Sequence, residues 1–359
     1  MHLLVLPCDG IGPEITQATV DVIQLVNRRL NLGITMEHRE IGFASLHREG
    51  TTLPNSVLDA ARSADGVILG PASNADYPPP DQGGIGISAA FRSGLDLFAN
   101  IRPSRSYEGL PHWGRTAMDL VIVRENTEGF YSDRNMFLGN GEFMPTPDIA
   151  LSIRKITASS CRRIARTAFE LASQRRKKVT AVHKGNVIKV SEALFLREVR
   201  SVAAEFPDVI YAEQLVDSMA ALLVRCADQF DVIVTTNMFG DILSDEAAEL
   251  SGSLGLGAAL NCSDSHAVAQ AAHGSAPDIA GRDRANPISL ILSAAMLLEW
   301  LAKRKANDRL LSASRLISTS VGALLRDPKR RTFDLGGTLG TRAFTAALCD
   351  EINKSAAAE

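Results

Sequence analysis

Short, almost wholly apolar runs recur along this chain at residues 3–6, 66–70, 119–124, 178–182 and 231–235, separated by segments with helical spacing. A strand that alternates apolar and polar residues buries one face, whereas a continuous apolar run buries both. Burying both faces requires helices on either side of a largely parallel sheet. Helical spacing is readable at 13–30, 57–62, 153–173, 191–205 and 287–305. The last of these has Pro287 in its first turn and carries Trp300, and it is apolar enough to be a core or subunit-contact element. The alternation predicts an α/β architecture. Two stretches interrupt it. Residues 72–86, rich in Pro, Gly, Asn and Asp, predict a loop, and the irregular stretch 132–148 predicts a protruding arm or hairpin. The alanine-rich tail 355–359 predicts a frayed end.

Composition narrows the function classes. A length of 359 residues permits two domains or one large one. The net charge of −3 gives no basis for a nucleic-acid partner or an anionic membrane surface. The basic run 175–178 lacks interleaved aromatics and predicts a solvated turn between a helix and a strand. The 5 cysteines are scattered and never form a C-x-x-C pair, which argues for a reducing compartment and against structural zinc or disulfides. No apolar run approaches a membrane span, and the N-terminus enters a strand without a charged leader. The expectation is a cytoplasmic protein of enzyme size.

Residues 237–246 read Asn-Met-Phe-Gly-Asp-Ile-Leu-Ser-Asp-Glu and follow an apolar strand. Once a helix starts there, Asp241 and Asp245 stand one turn apart on one face. Like charges at that spacing repel unless a cation lies between them. Mg²⁺ takes one or two carboxylates and leaves its remaining positions to water and substrate; the bland alternative is a solvated acidic first turn. Arg92, Arg102 and Arg124 lie at the edges of apolar runs, as do Arg105 and Arg134. A substrate bearing two carboxylates needs planar bidentate donors, which Arg supplies and Lys does not. Tyr131 and Lys184 are candidate proton-transfer groups, Lys184 at a strand end where α/β proteins place reactive groups. The Gly/Ala/Pro-rich loop 273–287 would let a flat ring and a phosphate approach the backbone, with Asp278 placed to hold two ribose hydroxyls. Residues 9–14, Asp-Gly-Ile-Gly-Pro-Glu, make a poor dinucleotide loop. The third glycine is missing, and Glu14 stands where a pyrophosphate would sit, so a plain strand-to-helix turn is predicted.

Together these segments resemble the metal-dependent decarboxylating dehydrogenases that act on isocitrate, homoisocitrate, 3-isopropylmalate and tartrate. The resemblance runs from residues 9–14 to the Asp-Leu-Gly-Gly at 334–337. It implies a two-domain fold with a twisted mixed sheet, distinct from a Rossmann fold. The large cofactor-binding domain would be built from 1–99 and 250–359, and the small dimerisation domain from 100–249 with its arm near 132–148. It further implies a homodimer with shared active sites. Asp241 and Asp245 would bind Mg²⁺ or Mn²⁺ together with Asp217 from the other subunit. Arg92, Arg102 and Arg124 would clamp the substrate carboxylates. Lys184, also from the other subunit, would help take the 2-hydroxyl proton, and Tyr131 would protonate the enolate left by loss of CO₂. His273, Gly274, Ser275, Ala276, Asp278 and Asn286 would hold the cofactor. That cofactor is implied to be NAD, because NADP enzymes of the family carry Lys-Tyr where this chain has Asp278 and Ile279.

Substrate choice is left open by the resemblance. Residues 124–129 and 182–186 are similar to the isocitrate and homoisocitrate branch, but the segment 83–91, which would read the substrate's third arm, departs from the family. Gly86 stands where isocitrate enzymes place a serine; Ser88 is close by. Ser88 and Ala89 replace the paired leucines expected for an isopropyl group, and Gln270 replaces a glutamate. The leading expectation is an isocitrate- or homoisocitrate-like acid, followed by an alkylmalate or tartrate. A non-catalytic regulatory subunit is the remote alternative, since such subunits lose a residue of the set retained here.

Overall fold

The computed structural model describes residues 1–131 and 141–355. Its strands are β1 (His2–Leu6), β2 (Thr35–His38), β3 (Gly66–Leu69), β4 (Ala99–Arg105), β5 (Asp119–Glu125), β6 (Glu142–Thr146), β7 (Ile149–Ser152), β8 (Lys178–His183), β9 (Ile210–Leu215), β10 (Val232–Thr235), β11 (Ala258–Cys262) and β12 (Ala267–Ala271). The helices are α1 (Gly12–Leu30), α2 (Phe43–Glu49), α3 (Asn55–Ser63), α4 (Ile87–Gly94), α5 (Ala158–Ser173), α6 (Lys189–Ala203), α7 (Val216–Cys226), α8 (Asn237–Ser251), α9 (Ile288–Lys305), α10 (Asp308–Leu325) and α11 (Thr341–Ser355).

Among the described residues one 10-stranded mixed sheet runs in the order β2-β1-β3-β12-β11-β4-β5-β10-β8-β9. The expected α/β fold with a large mixed sheet is therefore present. β2, β1, β3 and β12 are parallel to one another, and so are β5, β10, β8 and β9. The antiparallel pairs β12–β11, β11–β4 and β4–β5 lie between them, so the two sets point in opposite directions. Strand order and direction both change at β11 and β4, the kind of place where open α/β sheets leave a crevice.

The apolar runs that predicted strands do form them, because each is covered on both sides. One sheet face carries a continuous core: Leu3, Val5 and Ile68 join Val121, Val123, Leu260, Ala269, Val232 and Val234 beneath α1, α5, α9 and α10. The other face is divided. Leu4, Leu6, Val67 and Val268 form a cluster with α3 and α4 at one end, and Leu120, Ile122 and Ile233 form another with α7 and α8. A polar strip separates the two clusters. Asn100 is paired across the sheet with both Arg124 and Asn261, so their side chains leave the same face. Arg102 lies two residues beyond Asn100, and Gln270 two beyond Val268, the partner of Asn261, so both join that face.

Some expectations need adjustment. The arm predicted at 132–148 is described only from residue 141, where β6 and β7 form a separate two-stranded hairpin extending to Ser152; residues 132–140, with Arg134, lie outside the described part. Residues 356–359 of the tail do as well. The basic run 175–178 is more than a solvated turn, because Arg175 bonds Asp231, which is almost wholly buried, and also Asp119. A carboxylate buried at a strand start needs a counter-charge, and this residue supplies it. All 5 cysteines are free. Helix α9 is buried on nearly all sides and is a core helix. No described helix is long and apolar enough to cross a membrane.

Candidate active site

The C-terminal ends of β5, β10, β8 and β9 share one sheet edge, and each leads directly into predicted site residues. From β5 comes Arg124, whose side chain is 2% exposed. The chain then turns sharply around the Glu125 carboxylate, which accepts from the Thr127 amide and the Glu128 amide, both at 2.8 Å. Glu125 is itself buried, and burial pushes its carboxyl above the usual range. This turn delivers Tyr131 to the site. From β10 comes α8, whose first residue, Asn237, donates to the Glu128 carbonyl at 2.9 Å and accepts from Arg124 Nε at 2.9 Å.

Helix α8 then runs back over the polar strip. Arg124 forms an ion pair with Asp241. Arg102 reaches Asp245 at 2.9 Å, Ser244 Oγ at 2.8 Å and Asp241 at 3.4 Å. Tyr131 Oη donates to Asp241 Oδ2 at 3.3 Å. The predicted acids thus meet two of the predicted arginines and the predicted tyrosine. Desolvation lowers the Arg124 guanidinium to about 10, helped by the neighbouring charge of Arg102. Desolvation also raises the Asp245 carboxyl, only partly offset by Arg102. Gly240 allows the close approach of helix and strand: a Cβ there would lie 2.6 Å from Arg124 Cγ.

Lys184, after β8, and Asp217, in the first turn of α7, are brought together with each other. Their ion pair is 2.8 Å long, and the Asp217 side chain is 60% exposed. The hydrogen bond from Lys184 holds the Asp217 carboxyl below its usual range. Within one chain neither is bonded to Asp241 or Asp245 among the described residues, and no described group of three or more His, Cys, Asp or Glu could hold a metal ion. Arg92 and Ser88 lie one turn apart on α4.

At the opposite side of the crevice, the loop after β12 packs on the turn after β1. Ile11 N donates to the Ser275 carbonyl at 2.8 Å, and a Cβ on Gly10, which has φ +57°, would collide with that oxygen. Residues 9–14 make the predicted turn from strand to helix, and Gly10 serves the neighbouring loop. Ser275 Oγ meets Ser73 Oγ at 2.7 Å. A cavity of about 280 Å³ opens here, lined by His273, Gly274, Ala276 and Asn286 from the predicted set, with Ile11, Ile279, Arg284 and Asp334. Ser275 and Asp278 do not line it; Asp278 is exposed on a single 3₁₀ turn. Asn286 bonds Asp334 at 2.9 Å and accepts from the Ile288 amide. His273 Nε2 is buried without a partner among the described residues, and burial lowers its basicity.

Sequence reasoning did not find Asn100, Asn126, Asn237, Gly240, Ser244 or Asn261. A signal existed for Asn100: polar residues alternate at 100, 102 and 104 along β4. A lone Asn in the otherwise buried apolar run Ala258–Cys262 was a second signal.

A family profile described as isocitrate/isopropylmalate dehydrogenase matches residues 2–352. A 3-isopropylmalate dehydrogenase of Methanothermobacter thermautotrophicus is 38% identical over 349 residues, 97% of each chain. An isocitrate/homoisocitrate dehydrogenase of Thermus thermophilus is 39% identical over 345 residues, 96% of each chain. The crystal structure of isocitrate dehydrogenase from Methylococcus capsulatus is similar with a TM-score of 0.86 at 36% identity, covering 98% of this chain and 99% of that one.

Proposed function

This chain belongs to the isocitrate/isopropylmalate dehydrogenase family of decarboxylating dehydrogenases acting on CH–OH groups, and we propose that it oxidises and decarboxylates a malate-type 2-hydroxy-3-carboxy acid with NAD and Mg²⁺ or Mn²⁺. The observation that carries this reading is the meeting of buried Arg102 and Arg124 with Asp241 and Asp245 beneath Tyr131. Two arginines desolvated to this degree are poised to receive a dianionic substrate, because a carboxylate replaces water at little reorganisation cost.

In this reading Arg92, Arg102 and Arg124 orient the two carboxylates, and Tyr131 holds a proton for the carbon that loses CO₂. A divalent cation fits the donor set only if a further acid arrives from outside the chain, since of the carboxylates on α8 only Asp241 and Asp245 meet the arginines among the described residues. The exposed Asp217 and its partner Lys184 suit that role from a second copy. The cation would be held by Asp241, Asp245 and Asp217 of the partner subunit, and it would supply Lewis acidity at the substrate's 2-oxygen. Exposed Phe143 and Met144 on β6, Ile149 and Leu151 on β7, and Val187, Val190 and Ile242 near α6 and α8 support a homodimer. The orphaned His273 Nε2 and the small-residue lining around it fit a flat heteroaromatic ring, with Gly274, Ser275, Ala276 and Asn286 shaping the site and Asp278 meeting the ribose of NAD. The division into 1–99 plus 250–359 and 100–249, and a cytoplasmic location, belong to the same proposal.

A second reading, an alkylmalate as substrate, is favoured by relatives such as those named 3-isopropylmalate dehydrogenase. The polar Ser88 in the third-arm segment favours an isocitrate-like acid. The test is NADH formation with Mn²⁺ and a panel of 2-hydroxy diacids. Turnover of at least one is expected; no turnover by a folded dimer would support a regulatory subunit instead.

A further inference from the structure

We propose that Gln270 is a positioning residue that fixes the direction of the Ser88 hydroxyl, and that Ser88 so oriented selects substrates whose third arm carries a hydrogen-bond acceptor. This rests on the malate-type reading above and assigns the part of the substrate which that reading leaves open.

A continuous chain of side-chain hydrogen bonds crosses the polar strip from the arginines to α4. Arg102 Nε donates to Asn100 Oδ1 at 3.0 Å, and Asn100 Nδ2 donates to Asn261 Oδ1 at 2.8 Å. Asn261 Nδ2 donates to Gln270 Oε1 at 3.3 Å, and Gln270 Nε2 donates to Ser88 Oγ at 3.2 Å. An amide has distinct donor and acceptor ends, so the sense of such a chain is set wherever one member is anchored to a group of fixed character. Arg102 can only donate, which turns Asn100 Oδ1 towards it. Asn126 Nδ2 donates to the Leu97 carbonyl at 2.9 Å, so its second hydrogen, at 3.0 Å from Asn261 Oδ1, demands an acceptor there too. Asn261 therefore turns its NH₂ to Gln270, and Gln270 turns its own to Ser88. From the other side Asn74 Oδ1 accepts from the Ile87 amide at 2.9 Å, which leaves Asn74 Nδ2 facing Ser88 Oγ at 3.5 Å.

Ser88 Oγ thus receives donors from both amides. Its lone pairs are engaged, and its hydrogen is left to point away from them as a donor. Ser88 is half-buried on the same helix face as Arg92 and is linked through the relay to Arg102, so it borders the space a clamped diacid would enter. A donor there rewards an oxygen on the substituent and leaves an alkyl group with an unmatched hydroxyl. A glutamate at 270 would reverse the sense. Its carboxylate only accepts, so it would draw the Ser88 hydrogen to itself.

The experiment compares kcat/KM, with NAD and Mn²⁺, for malate-type acids whose third arm is hydrogen, hydroxyl, carboxylate or isopropyl. The wild type is expected to favour the hydroxyl- or carboxylate-bearing acids, and the better of these two identifies the arm. Q270E should cut that preference over isopropyl by about tenfold or more for both, as should S88A. In the S88A background, Q270E should change the ratio by less than about twofold, since the effect passes through the hydroxyl. A wild type preferring the isopropyl acid, an unchanged ratio in Q270E, or an equal Q270E effect without Ser88 each overturns the proposal alone. Absence of turnover on every acid overturns the malate-type reading and this inference with it.

Discussion

The two faces of the large sheet follow different rules. One is a single apolar field in which Val5, Val123, Val234 and Leu260 meet helices α1, α5 and α9. Its energetics are additive burial, at roughly 25 cal/mol per Å² of apolar surface, and any well-packed residue of similar volume would serve. The other face interrupts its apolar clusters with Asn100, Arg102, Arg124, Asn261 and Gln270. Each of these needs a partner of opposite character, because a buried polar group without one costs about 1–3 kcal/mol. The first face therefore specifies that the chain folds, and the second specifies what it can bind. The gap between the apolar clusters marks the site more clearly than cavity volume does, since a cavity of about 560 Å³ lies near His38 and Arg48, away from the strip.

The comparison is broken most severely if substitutions on the polar face behave like those on the apolar face. Asp241→Asn should lower kcat by about 10³-fold or more, because the carboxamide neither neutralises Arg124 nor serves as an anionic ligand. NAD affinity, measured by fluorescence titration, should stay within a few-fold. Equal loss of both would count against the role given to Asp241. Phe169→Ala, on the buried side of α5 in the continuous core and 5.5 Å from the Phe206 ring, should do the reverse. It should cost about 3–5 kcal/mol in denaturant unfolding while leaving kcat per folded molecule unchanged. A large kinetic effect with intact stability would show that the faces are not separable in this way.

The same contrast explains what could be read in the sequence. Strands β1, β3, β5, β8 and β10 are legible because burial on both sides leaves an unbroken apolar run. β4 is not, since it carries Asn100, Arg102 and Ser104 on the polar face and Pro103 in its interior. That proline is tolerated because β11 pairs only with residues 99–101, leaving the edge beside it open. The edge strands β2 and β9 are half exposed and carry no apolar run. Asp241 and Asp245 stand out by their one-turn spacing, and the arginines by their place at run edges. The amide relay does not stand out, because Asn100 and Asn261 are 161 residues apart and only the sheet register brings them together. The basic run 175–178 shows the converse limit: charge density is local information, but the buried Asp231 that Arg175 answers is not.

That pair offers the next test, at the sheet edge far from the site, where Asp119 begins β5 and Asp231 immediately precedes the parallel strand β10. Arg175→Met should destabilise the protein by about 3 kcal/mol at neutral pH, since it leaves Asp231 buried without its cation. For Asp119, burial acts to raise the carboxyl, but the hydrogen bond from Arg175 outweighs it and the net shift is downward. A carboxyl lowered in the folded state contributes stability above its ordinary value of about 3.9, and that contribution is lost as pH falls through the folded value. The wild type should therefore lose stability more steeply than Arg175→Met below about pH 4 in urea titrations. Parallel curves would remove Arg175 from this account, and kcat should be unaffected by the change.

The smallest effect expected, and the one that joins the two rules, comes from Gly240. This glycine contributes no polar group, yet its missing Cβ is what lets α8 settle on Arg124. Gly240→Ala improves intrinsic helix propensity by about 1 kcal/mol, which on an exposed helix would stabilise. Here the new methyl must displace the buried Arg124 Cγ, and overpacking of this kind costs about 1–3 kcal/mol. The two terms leave a net stability change of about 1 kcal/mol, destabilising, while the displaced guanidinium loses its alignment with Asp241 and the substrate. A fall in kcat/KM of about tenfold or more, with little change in unfolding midpoint, is therefore expected. A stabilised variant with unchanged kinetics would mean that the approach of α8 to β5 has slack, and that the polar face is less exacting than its hydrogen bonds indicate.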